Sequence, residues 1–111
     1  MSKKTDDFRK ELDEITPALI ARAKGRCEAR IPGVCLGHPD GFAFTMSRHH
    51  RLPRSHGGTS DLSNLAYLCG TGTTGCHGFI EHNRREAYAR GFLLRTGLDP
   101  RLVAMVAPWR K

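Results

Sequence analysis

From Phe42 to Ser47 the side chains alternate. Phe42, Phe44 and Met46 fall on one side, and Ala43, Thr45 and Ser47 on the other. This period of two predicts a strand that runs into Arg48-His49-His50. A turn-rich segment follows, Pro53 to Asp61, with the sequence PRSHGGTSD. The short apolar run Leu65-Ala66-Tyr67-Leu68 predicts a second strand, and the Gly/Thr-rich stretch Gly70 to Gly75 a loop. A helix then fits His77 to about Arg90, closed by Gly91. The segments FLLR and LVAMV near the end fit short strands or packing segments.

Upstream, Thr5 is placed to cap a short helix that opens with Asp6 and Asp7 and runs to about Glu14. Thr16-Pro17 reads as N-cap and first residue of a second helix that stops at Gly25. Leu19, Ile20 and Ala23 would give it an apolar face. This divides the chain into an N-terminal helical arm (1–24), a central domain (25–91) and a C-terminal packing segment (92–111).

The longest apolar run is Leu102 to Ala107, too short to span a membrane, and MSKKTDD lacks the apolar stretch of a secretory signal. These points favour a cytoplasmic protein. Trp, Tyr and Phe together number eight of 111 residues, so the core is small and needs a staple.

Four cysteines fit that need. Cys27 and Cys35 form one pair, Cys69 and Cys76 the other, each in a Gly- or Pro-containing loop. Two loop-borne pairs suit tetrahedral Zn2+, and four thiolates would close its shell to water, making such a zinc structural. Two disulfides in a small secreted protein, or four unrelated buried thiols, are the alternatives.

Charge adds a partner. The net charge is +7, with 18 Lys+Arg against 11 Asp+Glu. Met46 to Ser60 contains three Arg, three His and no acid. It reads as a phosphate-facing surface or as a solvated loop. His49 and His50 are strand neighbours and point to opposite faces. His50 shares the parity of Met46 if the strand is regular. On the helix, Glu81 is four residues from His77 and shares its face, whereas His82 lies about 140° away. His38 and His56 read as loop residues.

The motifs GRCE (Gly25 to Glu28), RHHR (Arg48 to Arg51), RSHGGTSDLSNLAYLC (Arg54 to Cys69) and GCHGFIEHN (Gly75 to Asn83), in this order, resemble HNH endonucleases, above all the small bacteriophage and prophage type. The resemblance runs from about Gly25 to Gly91. It implies an α+β fold, a ββα-metal (His-Me finger) module with a four-cysteine zinc staple. It also implies metal-dependent hydrolysis of DNA phosphodiester bonds, by nicking or double-strand cleavage, leaving 5′-phosphate and 3′-hydroxyl ends.

By the resemblance, His50 is the general base and Asn64 tethers the loop that orients it. His49 and His77 hold one catalytic divalent ion, Mg2+, Mn2+ or Ni2+. Many relatives have a third ligand His where this chain has Glu81, with His82 next, so either could complete the set. Arg48, Arg51, Arg54, Arg84 and Arg85 would contact DNA phosphates. The phage likeness also suggests a terminase as partner, by analogy. A non-catalytic, zinc-stapled DNA-binding or assembly module is the alternative function.

Overall fold

A computed structural model describes residues 3–36 and 45–106, with side chains from residue 7 onward. The elements in order are α1 (Lys3–Ala23), β1 (Met46–His50), β2 (Leu65–Cys69), α2 (Gly75–His82) and α3 (Arg84–Ala89), with single 3₁₀ turns at Arg54–His56, Leu62–Asn64 and Pro100–Leu102. The strands pair antiparallel, with His49 opposite Ala66 and His50 opposite Leu65. Positions 42–44 of the predicted alternation, His38 and Ala107 lie outside the described residues. The β1–β2–α2 succession is the ββα arrangement that the motifs imply, in a small α+β fold. Among the described residues no helix is long and apolar enough to cross a membrane.

Helices cover both faces of the two-stranded sheet. Directly opposed residues of an antiparallel pair share a face. Leu65 packs with Leu12 and Leu19 of α1, so the Leu65–His50 pair faces α1. Ala66 and Leu68 pack with Ile80 of α2, Phe92 and Leu93 in the main core, so the Ala66–His49 pair faces α2.

The N-terminal arm is one helix, not two, and neither Thr5 nor Thr16 is a cap. α1 continues through Pro17. Proline lacks the N–H for an interior helical bond and costs about 3 kcal/mol there. Leu12, Ile15 and Leu19 form a stripe that crosses the proline and packs on Leu62, Leu65 and Tyr67. Buried Leu side chains contribute roughly 1.5–3 kcal/mol each, enough together to offset that cost. Thr16 turns inward, donating Oγ1–H to Leu12 O at 2.6 Å. Ile20, expected on the apolar face, is exposed.

Past the helix, Arg22 forms a two-pronged pair with Glu28 (2.9 and 2.6 Å) and donates to Leu62 O and Leu65 O. Glu28 in turn accepts from Tyr67 N–H, and its own N–H bonds Tyr67 O. The GRCE segment is therefore sewn along the outer edge of β2.

The helix predicted from His77 to Arg90 is also different. It begins at Gly75 and breaks at Asn83, where φ is −134° and ψ 57°. The Asn83 side-chain amide donates to Phe79 O, an acceptor that a continuing helix would give to backbone N–H. Ala87 of α3 then reaches the core beside Phe92. Gly91 ends α3 with φ +79°, and a Cβ there would stand 2.2 Å from Ala104 O, so the returning chain requires glycine. Phe92, Leu93 and Leu94 are buried as irregular chain, whereas residues 102–106 form no strand and leave Leu102 and Val106 exposed.

Arg51 corrects the sequence reading most sharply. It is not a DNA contact: it is buried. Its guanidinium donates to Gly91 O (2.7 Å), Ser63 O (2.7 Å), Pro100 O (3.1 Å) and Val103 O. Burial, followed by the nearby Arg22 charge, lowers its pKa, while Glu28 opposes this. Carbonyl dipoles thus satisfy a buried cation in place of a carboxylate. Arg51→Met is expected to destabilise the fold by about 3 kcal/mol or more, because four carbonyls, one buried and three partly buried, lose their donors. Arg51→Lys should recover only part of this, since a compact ammonium lacks the fork. Urea unfolding of the three proteins checks both expectations.

Candidate metal centre and nucleic-acid cleft

Two clusters of ligand-type side chains form, and α2 starts between them. The Sγ atoms of Cys27, Cys35, Cys69 and Cys76 all lie within 4.8 Å of one another. None of the four is in a disulfide. Thiolates about 2.3 Å from a shared tetrahedral ion stand roughly 3.8 Å apart, and Cys35 and Cys69 are separated by 3.9 Å. Backbone N–H groups of Cys76 and Leu36 point at Cys69 Sγ, and that of Ile31 at Cys76 Sγ. The Cys76 side chain, opposed by burial but helped by backbone N–H groups of Arg30, Cys69 and Ala29, lowers the Cys27 pKa to about 5. The pair shares a proton: the Cys27 side chain, followed by burial, pushes the Cys76 thiol up while Cys27 becomes the thiolate, the form that binds metal.

The turn from Cys69 to Cys76 depends on Gly70. Its φ is +87°, and a Cβ would stand 2.1 Å from Thr74 O. The turn places Cys76 and His77 side by side in the first turn of α2, so one helix start supplies both clusters.

The second cluster is His49, His77 and Glu81, whose ligand atoms also lie within 4.8 Å of one another. His49 comes from the α2 face of β1 and is buried. Its Nε2 lies 2.7 Å from Phe92 O, which can only accept, so Nε2 carries the proton and Nδ1 keeps its lone pair. That Nδ1 is 3.6 Å from Glu81 Oε1. Burial lowers the His49 pKa to about 4, opposed by the Phe92 carbonyl, so the ring is neutral at pH 7. His77 Nε2 is 3.7 Å from the same Glu81 oxygen, and its Nδ1 is buried with no hydrogen-bond partner. Burial lowers the His77 pKa too, and Glu81 opposes it. His82 stays exposed and outside this cluster, as its position around the helix requires.

His50 emerges on the opposite face of β1. Its Nε2 is 3.2 Å from Ser60 Oγ, and its ring stacks on Phe8 of α1 with centroids 5.2 Å apart. Burial, then Arg48 and Arg54, lowers its pKa and keeps the ring neutral near pH 7. Asn64 is fully buried at the end of the loop between the strands. Its side chain accepts from Leu52 N–H (2.8 Å) and donates to Leu52 O and Thr59 O (3.0 and 2.8 Å). Its backbone carbonyl accepts from Arg51 N–H. Both ends of the loop that carries Ser60 are thereby tied to one amide.

A cleft of about 420 Å³ joins these groups, lined by His49, His50, His77, Glu81, Phe8, Arg54 and Arg84 among others. Arg54 lies over the Phe8 ring, 4.2 Å from its centroid. Arg84 reaches Glu81 Oε2 at 3.4 Å and the Tyr88 hydroxyl. Arg48 also borders the cleft but pairs with Asp13 at 2.6 Å. Arg85 is exposed on α3, and His56 on the loop.

Two participants were not visible in the sequence. Phe8 sat in the N-terminal helical arm, and nothing in its local pattern pointed across the fold to His50. Ser60 read as one more turn residue.

A family model described as HNH endonuclease matches residues 35–78, which include His49, His50, Asn64, His77 and three of the four cysteines. No curated protein matches the chain, and no solved structure does.

The Asn64 bonds generate a direct expectation. Asn64→Ala should cost roughly 2–3 kcal/mol, because Leu52 N–H, Leu52 O and Thr59 O lose their partner. Hydrogen exchange should accelerate selectively between residues 52 and 60, while the α2 core stays protected.

Proposed function

We infer that this chain, which carries an HNH endonuclease domain, is a metal-dependent endonuclease that hydrolyses DNA phosphodiester bonds. The domain match supports a nuclease-type function acting on DNA. The observation that carries the finer reading is the convergence of His49, His77 and Glu81 in the cleft that His50 also lines. Phage or prophage origin, and with it a terminase partner, rests on the likeness of the motifs to small phage proteins.

The donors fit a divalent ion. His49 Nδ1 has a free lone pair, His77 turns its Nε2 to the same Glu81 oxygen, and Glu81 brings a carboxylate within 4 Å of both rings. Two imidazoles with one carboxylate suit Mn2+ or Ni2+, and the carboxylate brings Mg2+ within range. A divalent ion held there supplies Lewis-acid stabilisation for the charge that develops on the phosphodiester.

The chain's own residues do the rest. The neutral His50 imidazole takes a proton from the attacking water, while Ser60 and Phe8 hold the plane of its ring. Asn64 keeps the loop that carries Ser60 in place. Arg54 and Arg84 hold phosphates flanking the scissile one, and Arg85 extends that contact along α3. Cleavage leaves 5′-phosphate and 3′-hydroxyl ends. The four cysteines hold a structural zinc that anchors α2, and so His77, to the end of β2.

Plasmid nicking with Mg2+, Mn2+ or Ni2+ tests this reading. His50→Ala should slow nicking by about 10²–10⁴-fold. Equal nicking by both proteins removes His50 from the mechanism. A wild type inert with every metal favours the non-catalytic binding module. Glu81→Gln should raise the concentration of Mg2+ or Mn2+ required, whereas His82→Ala should not. Elemental analysis should find one tightly held zinc per chain, lost in Cys69→Ser with a fall in melting temperature.

A further inference from the structure

The positive charge that the sequence placed at Met46–Ser60 is largely engaged within the protein. Arg51 is buried on carbonyls, Arg48 pairs with Asp13 and Arg54 lies over Phe8. Cations without such engagement lie on the segment that leaves α1 and enters the four-cysteine cluster. Lys24, Arg26 and Arg30 are all exposed there. No hydrogen bond or ion pair joins these three side chains to another described residue.

They line a single open cleft of about 610 Å³, together with Arg22, Glu28 and Met105. Among the described residues Glu28 is the one carboxylate on this lining, and Arg22 already neutralises it through two bonds. Three positive charges with no paired carboxylate among the described residues therefore face one concavity.

Their placement is built rather than loose. Arg26 precedes the cluster ligand Cys27, and Arg30 follows it by three residues. Lys24 and Arg30 both have left-handed backbone, with φ 56° and 47°. That conformation is unfavourable for an L-residue, and glycine would adopt it more readily. Long basic side chains occupy both positions instead.

We propose that this cleft is a second phosphate-binding site, which holds the backbone of the DNA duplex away from the point of cleavage. The proposal rests on the nuclease reading and adds a surface to it. Guanidinium groups bind phosphate oxygens in pairs, and such contacts hold a duplex without reading its sequence. The four-cysteine cluster is then also the mount of a DNA-holding surface, because it fixes the loop that carries these cations.

The test is fluorescence anisotropy with a labelled random-sequence DNA duplex across a salt series, without added divalent metal. The variant Lys24→Gln/Arg26→Gln/Arg30→Gln is compared with wild type and with Arg101→Gln, which removes a charge outside the cleft. Zinc content and melting temperature verify the fold. The triple variant should lose about tenfold or more in affinity at physiological salt, and its salt dependence should flatten by about two to three phosphate contacts. Arg101→Gln should change little. If the triple variant does not fold, Arg26→Glu alone should still weaken binding several-fold. Wild-type binding with unchanged affinity and slope in the cleft variants overturns this site and leaves the nuclease reading intact. Failure of the wild type to bind duplex at all overturns both.

Discussion

The buried guanidinium of Arg51 is the interaction on which most of the architecture depends. It follows β1 directly and reaches carbonyls in the inter-strand loop, at the end of α3 and at two points of the tail. Hydrophobic contacts alone would permit several arrangements of these irregular segments, because burial has no direction. A planar fork with fixed donor directions permits far fewer. Leu94 N–H returns to the Arg51 carbonyl, so the same residue ties the tail from its backbone as well. The tail thereby becomes one wall of the core, and Phe92, which it carries, supplies the carbonyl that sets the His49 tautomer.

From that frame, the alternation of a strand assigns chemistry to sides. His49 faces α2 and joins a ligand-type cluster, whereas His50 faces α1 and keeps a ring free of that cluster. Two adjacent histidines with such different surroundings are held apart by nothing more elaborate than the pleat. A one-residue slip in pairing would exchange them. Asn64 resists such a slip, since it bonds the loop at both Leu52 and Thr59.

Much of this was legible in the sequence because it was local. The short apolar run at Leu65, the pairing of cysteines in loops and the four-residue step from His77 to Glu81 all carry their meaning within a few residues. The elements misread share a different property. Pro17 looked like a helix start because its local cost is plain, but the offsetting stripe of Leu12, Ile15 and Leu19 finds its partners on a strand some fifty residues away. Arg51 looked like its neighbours Arg48 and Arg54, since the carbonyls it binds belong to no sequence pattern. Asn83 broke a helix through its own side chain, a choice that helix periodicity does not register. The overall positive charge was read correctly in amount, while its distribution between engaged and free groups depended on tertiary contacts.

The unbroken course of α1 links two parts of the surface mechanically. Phe8, stacked on His50, and Arg22, at the rim of the basic cleft, lie fourteen residues apart on one continuous helix, or about 21 Å. Leu12, Ile15 and Leu19 form its bearing on the sheet between them. A rod seated in this way behaves as a lever. Two surfaces that a broken arm would have left independent therefore adjust together.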